Sequence, residues 1–246
     1  MENQIIDINV DMGEGIGNEA KLMPYISSCN IACGGHAGDH LTMKTVVKLA
    51  KQHRVKIGAH PSFPDKENFG RKTMEMPCVV LYSSLKNQIN DLVTVLNEEH
   101  VPLHHVKPHG ALYNQAATDE KTANVVVEVM KTLALPAELY VPYNSVLARI
   151  AVENNIPVLY EAFADRNYNS DLSLVSRTEK NALIEDFDAM FQQVFGIYSG
   201  QKVKTISGEW AMIKAHTFCI HGDHPNAVKM VKALVEKLQE KGCKIR

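Results

Sequence analysis

Short apolar runs alternate along this chain with longer stretches of helical spacing. The runs fall near 5–10, 28–33, 55–59, 103–107, 138–141, 157–161 and 217–220, and their length predicts strands. Helical patterns lie near 40–53, 78–99, 119–133, 144–154, 179–198 and 225–241. In the last of these, Ala227, Val231, Leu234, Val235 and Leu238 form an apolar stripe suited to packing on a barrel or sheet. Asp39 is placed to cap the helix that follows it, as is Asp119, with Thr118 as the competing choice. Pro225 suits a first helical turn, with His224 or Asp223 before it. Strands alternating with helices predict a parallel sheet. Seven strand signals favour an α/β fold of the closed or nearly closed (β/α) barrel type, with an open doubly wound sheet as the alternative. Nothing reads as a linker, a low-complexity tract or a second core, so residues 1–246 are expected to form a single (β/α) barrel domain.

Two segments break the rhythm. Residues 61–77 carry Pro61, Pro64, Gly70, Pro77 and the basic pair Arg71-Lys72. Residues 162–178 carry Asp165, Arg166, Asn167, Asp171 and Arg177. Both follow strand ends, and loops of this length often serve function, so both are expected to fold over a pocket mouth.

Bulk composition narrows the class. The chain has 246 residues, 45% of them hydrophobic, and a formal net charge of -2, which fits a globule with a full core. It has no basic stripe to favour nucleic acid. No apolar stretch approaches the roughly 20 residues that span a bilayer. The sequence enters a strand-like run directly, without a secretory pattern. Cys29, Cys33, Cys78, Cys219 and Cys243 are odd in number and form no C-x-x-C pair, which predicts reduced thiols. These features together give a cytoplasmic expectation, with no membrane or nucleic-acid partner.

The chemistry lies where the apolar runs end. Asp11-Met-Gly-Glu14 follows the first run, and two carboxylates this close need a cation, a metal or a shared proton; the plain alternative is a solvated turn. Gly34-Gly35-His36-Ala37-Gly38-Asp39 follows the second, and three glycines are expected to clear the approach to the His36 imidazole. Asp39 reads better as a cap than as a base. His60-Pro61 ends the third run, and Lys107-Pro-His109-Gly110 the fourth. A lysine emerging from an apolar strand is suited to a carboxylate, a phosphate or a carbonyl, whereas an ordinary lysine would be at the surface. His104 and His105 precede it, one expected to face the core and the other the helices. His221-Gly-Asp223-His224 closes the series, with spacing for an orienting hydrogen bond or for two ligands on one turn. Polar groups at the ends of many parallel strands converge on one rim in barrels of this type. Walker, G-x-S-x-G and H-E-x-x-H patterns are all missing, so nucleotide-loop, serine-hydrolase and zincin readings have no local support.

Seven ordered strings carry a resemblance. They are Asp7-Ile-Asn9-Val-Asp11-Met-Gly-Glu14-Gly15, Asn30-Ile-Ala-Cys-Gly-Gly-His36-Ala-Gly-Asp39, Ile57-Gly-Ala-His60-Pro61, Phe69-Gly-Arg71, His105-Val-Lys107-Pro-His109-Gly-Ala-Leu-Tyr-Asn114, Phe163-Ala-Asp165-Arg166 and His221-Gly-Asp223. Together they resemble the LamB/YcsF family of bacterial 5-oxoprolinase A subunits, from the first strand to the last helix. The resemblance implies an irregular seven-stranded (β/α) barrel similar to glycoside hydrolases and polysaccharide deacetylases. It implies opening of the lactam of 5-oxo-L-proline to L-glutamate coupled to ATP hydrolysis, with Mg²⁺ accompanying the nucleotide and no tightly bound cofactor, in company with subunits B and C. Two departures stand out: Lys72 replaces a second arginine, and Pro61-Ser-Phe-Pro64 replaces a Pro-Gly-Tyr-Pro.

A lactam is a weak electrophile with a poor leaving group, and phosphorylating its oxygen would activate it. On residue type and position, Asp11, Glu14, His36, His60, Lys107 and His109 are the expected catalytic groups, with Asp11 or Glu14 as base and the histidines in proton transfer. Asn9, Arg71, Asp165, Arg166, His221 and Asp223 are expected to bind substrate or phosphate. One alternative is an amide or ester hydrolase or deacetylase that uses no ATP but a metal on Asp11, His36, His60 and His221. A non-catalytic substrate-binding subunit is the other.

Overall fold

The computed structural model describes residues 5–224 and 226–245. In chain order its strands are β1 (Ile5–Met12), β2 (Ser28–Ala32), β3 (Lys56–His60), β4 (His105–Val106), β5 (Glu138–Pro142), β6 (Val158–Phe163), β7 (Lys202–Lys204), β8 (Trp210–Met212), β9 (Thr217–Ile220) and β10 (Lys244–Ile245). Its helices are α1 (Glu19–Leu22), α2 (His40–His53), α3 (Cys78–Glu98), α4 (Gly110–Ala116), α5 (Glu120–Met130), α6 (Val146–Glu153), α7 (Phe187–Gly200) and α8 (Ala227–Glu240).

Seven parallel strands run β1-β2-β3-β4-β5-β6-β9, and β9 pairs back onto β1 through Asp7–Thr217 to Val10–Ile220, which closes the barrel. Every strand expected from the sequence is therefore a barrel stave, and the open-sheet alternative is set aside by that last pairing. β4 is only two residues long, but its flanks stay tied to β3: the His104 amide donates to the Ile57 carbonyl and the Lys107 amide to the Ala59 carbonyl.

The two faces of β1 show how the barrel is filled. Ile6, Ile8, Val10 and Met12 share one face and belong to the apolar core. Asp7, Asn9 and Asp11 share the other and hydrogen-bond to side chains from β2, β6 and β9. The bore is thus polar, and the hydrophobic core lies between the staves and the helices. The stripe expected on the last helix is buried there in full. No helix among the described residues is long and apolar enough to cross a membrane.

Helix starts follow local chemistry. The Asp39 carboxylate accepts from the Thr42 amide at 2.7 Å, and Asp119 accepts from Thr122 in the same way, so Asp119 rather than Thr118 caps α5. The residues before α8 behave differently from expectation. Asn226 holds the N-cap position without a side-chain cap, the His224 ring donates to the Ile184 carbonyl, and Asp223 turns to two arginines. Pro225 lies outside the described residues. The helix expected from 179 begins only at Phe187, because 181–184 is drawn away to pair with the 165–167 segment: the Asn167 amide donates to the Ala182 carbonyl and the Ile184 amide to the Asp165 carbonyl. The short helices α1 and α4, the antiparallel hairpin β7–β8 and the edge strand β10 were not foreseen; all are too short for a periodic signal.

Candidate active site

The site stands at the carboxyl ends of the staves. Asp11 lies near the end of β1, His60 ends β3, Lys107 follows β4, Glu161 lies in β6, and His221 follows β9. Glu14, His36 and His109 reach the same rim from the loops after β1, β2 and β4. With Arg71 and residues 174–178 from the two long loops, Asp11, Glu14, His60, Lys107, His109 and His221 line a cavity of about 370 Å³. Both long segments therefore do border the mouth.

Lys107 is the electrostatic centre and is only 2% exposed. Its Nζ lies 3.0 Å from Asp11 Oδ1 and 2.9 Å from Glu161 Oε1, with Asn9 Oδ1 at 3.3 Å and Cys219 Sγ at 3.1 Å. Burial alone would discharge the ammonium, but the two carboxylates reverse this and hold its pKa well above the usual value. Burial pushes the Cys219 thiol well up, so it stays neutral beside the lysine. Burial also works against the Asp11 carboxylate; His60 and Lys107 outweigh it and keep Asp11 well below the ordinary range. Deeper in the bore, Asn9 donates to Glu161 and Thr217, Asn30 donates to Asn9 and Asp11, and the His105 ring meets Asn30 Oδ1 at 2.6 Å while stacking on Tyr140. His105 faces the bore, while His104 is half-buried near Glu138.

Beside this polar ladder sits a histidine cluster. The His60 Nδ1–H donates to the Lys107 carbonyl at 2.7 Å, and the His109 Nε2–H donates to the Phe69 carbonyl at 2.9 Å. Their remaining nitrogens face each other at 2.9 Å. His36 stacks on His109 with ring centroids 3.6 Å apart, and its Nε2 donates to Glu14 Oε1 at 3.0 Å. Burial lowers the pKa of His36 despite Glu14, and burial with neighbouring His60 and His36 lowers that of His109 well below normal. Both are neutral imidazoles at pH 7.

Asp11 and Glu14 both lie within 4 Å of His60 Nε2, but their closest partners differ. Asp11 is held by Lys107, whereas Glu14 is held by His36. The glycines around His36 also have another cause. Gly34 and Gly38 have φ of +99° and +84°, and a Cβ on Gly35 would lie 2.3 Å from Gln88 Oε1. They serve the turn and its packing rather than access to the imidazole.

The expected binding residues divide. Asp165 accepts from the His221 amide and ring, each at 2.9 Å, and His221 draws its pKa down to about 2 against the effect of burial. Arg71 and Arg177 both contact Asp223 at the mouth. Arg166 lines the cavity, but its guanidinium donates to the carbonyls of Val175 and Ala182 and so fixes the loop. Asn9 lies below the cavity as a structural link between the ladder's ends. Glu161, Asn30, Tyr113 and Arg177 were missed. Asn30 and Tyr113 lay inside matching strings, and Glu161 interrupts an apolar strand as Lys107 does, which was a usable signal.

Among the described residues, two groups of side chains are placed to hold a metal: Glu14, His36, His60 and His109, and separately Asp11, Cys219 and His221. The four residues of the alternative metal reading are thus divided between two groups.

The LamB/YcsF family model matches residues 6–246. The chain belongs to the LamB/YcsF family. It is 41% identical over 240 residues to the A subunit of 5-oxoprolinase from Haemophilus influenzae (strain PittEE), covering 98% of each chain. The crystal structure of a lactam utilization protein from Thermus thermophilus superposes with a TM-score of 0.91 at 34% identity, covering 98% of both chains. A family 4 carbohydrate esterase from Streptomyces lividans shares the fold, with a TM-score of 0.53 at 9% identity over 98% of this chain and 91% of its own.

Proposed function

We propose that this chain is the A subunit of an ATP-dependent 5-oxoprolinase and carries the site at which the lactam is opened. The observation that carries this reading is the near-full-length similarity to a relative so named, combined with a rim that joins a buried ammonium, carboxylates and neutral histidines. In the proposed reaction the lactam oxygen attacks the γ-phosphorus of ATP and ADP departs. Water then adds to the activated ring carbon and loses a proton. The adduct collapses with cleavage of the C–N bond as the nitrogen takes up a proton, leaving a γ-glutamyl phosphate, and a second water hydrolyses that acyl phosphate to glutamate and inorganic phosphate.

Each step has a matching group. Arg71 and Arg177 at the mouth suit an anion such as the polyphosphate or the substrate carboxylate. Tyr113 Oη and Glu161 Oε2 make no well-formed hydrogen bond among the described residues; Tyr113 lines both the 370 Å³ cavity and an adjoining one that Glu161 borders, so the two suit the lactam C=O and N–H. Lys107 stabilises negative charge as it develops near the ring oxygen. Water is activated at the Glu14–His36–His60–His109 cluster, of which Glu14, His60 and His109 line the 370 Å³ cavity. The strongly held Asp11 is a poor base and instead anchors Lys107 and faces His60 at 3.4 Å.

The test is glutamate formation from 5-oxoproline by this chain combined with its B and C partners. Asp11→Asn unseats Lys107 and His36→Ala unseats the cluster assigned to water, and each should lower kcat by about 100-fold, the range lost when a reacting group is displaced by about 1 Å. If both variants leave ATP-coupled turnover intact, the site is misplaced.

A further inference from the structure

The histidine cluster holds a charge arrangement that the proposed reaction does not by itself explain. His60 and His109 each spend one N–H on a backbone carbonyl, so in the neutral rings His60 Nε2 and His109 Nδ1 both carry lone pairs. These lone pairs face each other at 2.9 Å. Glu14 Oε1 lies 3.5 Å from the His109 nitrogen and 3.9 Å from that of His60, and Asp11 Oδ2 lies 3.4 Å from His60 Nε2. Four acceptor atoms therefore converge on one buried point. The His36 Nε2–H beside them donates to the same Glu14 oxygen at 3.0 Å.

We propose that His60 Nε2, His109 Nδ1 and Glu14 Oε1 form a binding site for a divalent transition-metal ion of the zinc class, with its open position toward the cavity. Bonds of about 2.0–2.1 Å in a tetrahedral site put ligand atoms about 3.3 Å apart, and the observed separations bracket that value. Backbone carbonyls behind both rings fix the tautomers that present these nitrogens, the usual outer support of a metal-bound histidine. His36 is a positioning residue that stacks on His109 and orients the Glu14 carboxylate. Two imidazoles favour a borderline ion over Mg²⁺ or Ca²⁺. The surrounding charge agrees: Asp11, Glu14 and Glu161 set three carboxylates against the single ammonium of Lys107, a formal excess that a doubly charged ion balances. Without a metal ion, only a proton held between His60 and His109 would relieve the opposed lone pairs.

This site deepens the proposed lactam opening, since it is the cluster assigned there to water. Metal binding is read on the chain alone and glutamate formation only with the partner subunits, so the two readings fail separately. The experiment strips the purified chain with a chelator and titrates it with Zn²⁺ by calorimetry and with Co²⁺ by visible absorption. One ion per chain is expected, with the intense ligand-field bands of low-coordinate Co²⁺. Glu14→Gln and His109→Ala, checked as folded by circular dichroism, should weaken binding by more than the roughly 10–100-fold lost with outer-shell partners. His221→Ala, in the second group of candidate ligands, should bind as the parent does. If His109→Ala does not fold, the ring-nitrogen resonances of the parent chain replace it: Zn²⁺ should shift those of His60 and His109 and leave His40 and His216 in place. Absence of stoichiometric binding overturns the assignment in favour of a shared proton. Binding that survives Glu14→Gln, is lost in His221→Ala, or leaves the His60 and His109 resonances unmoved overturns it in favour of another site.

Discussion

Lys107 decides more of the site than any other residue, because three kinds of partner depend on it. Its Nζ pairs with the carboxylates of Asp11 and Glu161, it contacts the neutral Asn9 and Cys219, and its carbonyl fixes the tautomer of His60. Lys107→Met keeps comparable length but leaves two buried carboxylates without their cation. Breaking one side of a buried charge cluster costs about 3–5 kcal/mol, and that loss should appear in the denaturant midpoint together with loss of turnover. An unchanged midpoint would mean that water or another cation already compensates these carboxylates. The sequence made Lys107 visible, since a lysine at the end of an apolar run has no ordinary surface explanation. Glu161 has the same signature inside β6 and was passed over, because a single charge in a strand also fits a solvent-facing position.

Among the helices and strands, capping residues and apolar stripes were legible and short pieces were not. Asp39 and Asp119 cap α2 and α5 as their positions predict, because an N-cap is a contact within four residues. Asp119→Ala removes acceptors for both the Thr122 amide and its hydroxyl. It should cost about 1 kcal/mol in thermal or urea unfolding and leave binding at the rim unchanged. The start of α7 was misread because residues 181–184 are claimed by the 165–167 loop, a partner distant in sequence. The glycines at 34–38 were rightly singled out for the wrong reason: positive φ and the closeness of Gln88 are properties of the folded turn.

Across the barrel, closure joins β1, β6 and β9, and one carboxylate–histidine pair fastens this seam at the rim. Asp165 follows β6, His221 follows β9, and the Asp165 carboxylate takes both the amide and the ring of His221. The Asp165 pKa falls from 3.8 to about 2 on folding. The folded state therefore binds this proton less tightly than the unfolded chain. Its stabilisation is complete above pH of about 4 and is lost as pH falls toward about 2, a contribution of about 2 kcal/mol. Asp165→Asn should be less stable than the parent at pH 6, and the gap should close across that acid window when unfolding is followed against pH. A gap that stays constant down to pH 2 would show that the carboxylate's charge contributes nothing there.

The staves, most of the helices and the roster of ionisable groups at strand ends were all readable before any fold was known. They follow from periodicity and local chemistry over a few residues. Three features emerged only on folding: closure through β9 onto β1, the division of the polar groups into a lysine ladder and a histidine cluster, and the facing of His60 toward His109. Those features join residues tens to hundreds of positions apart, and their energies depend on burial, which no local stretch of chain specifies.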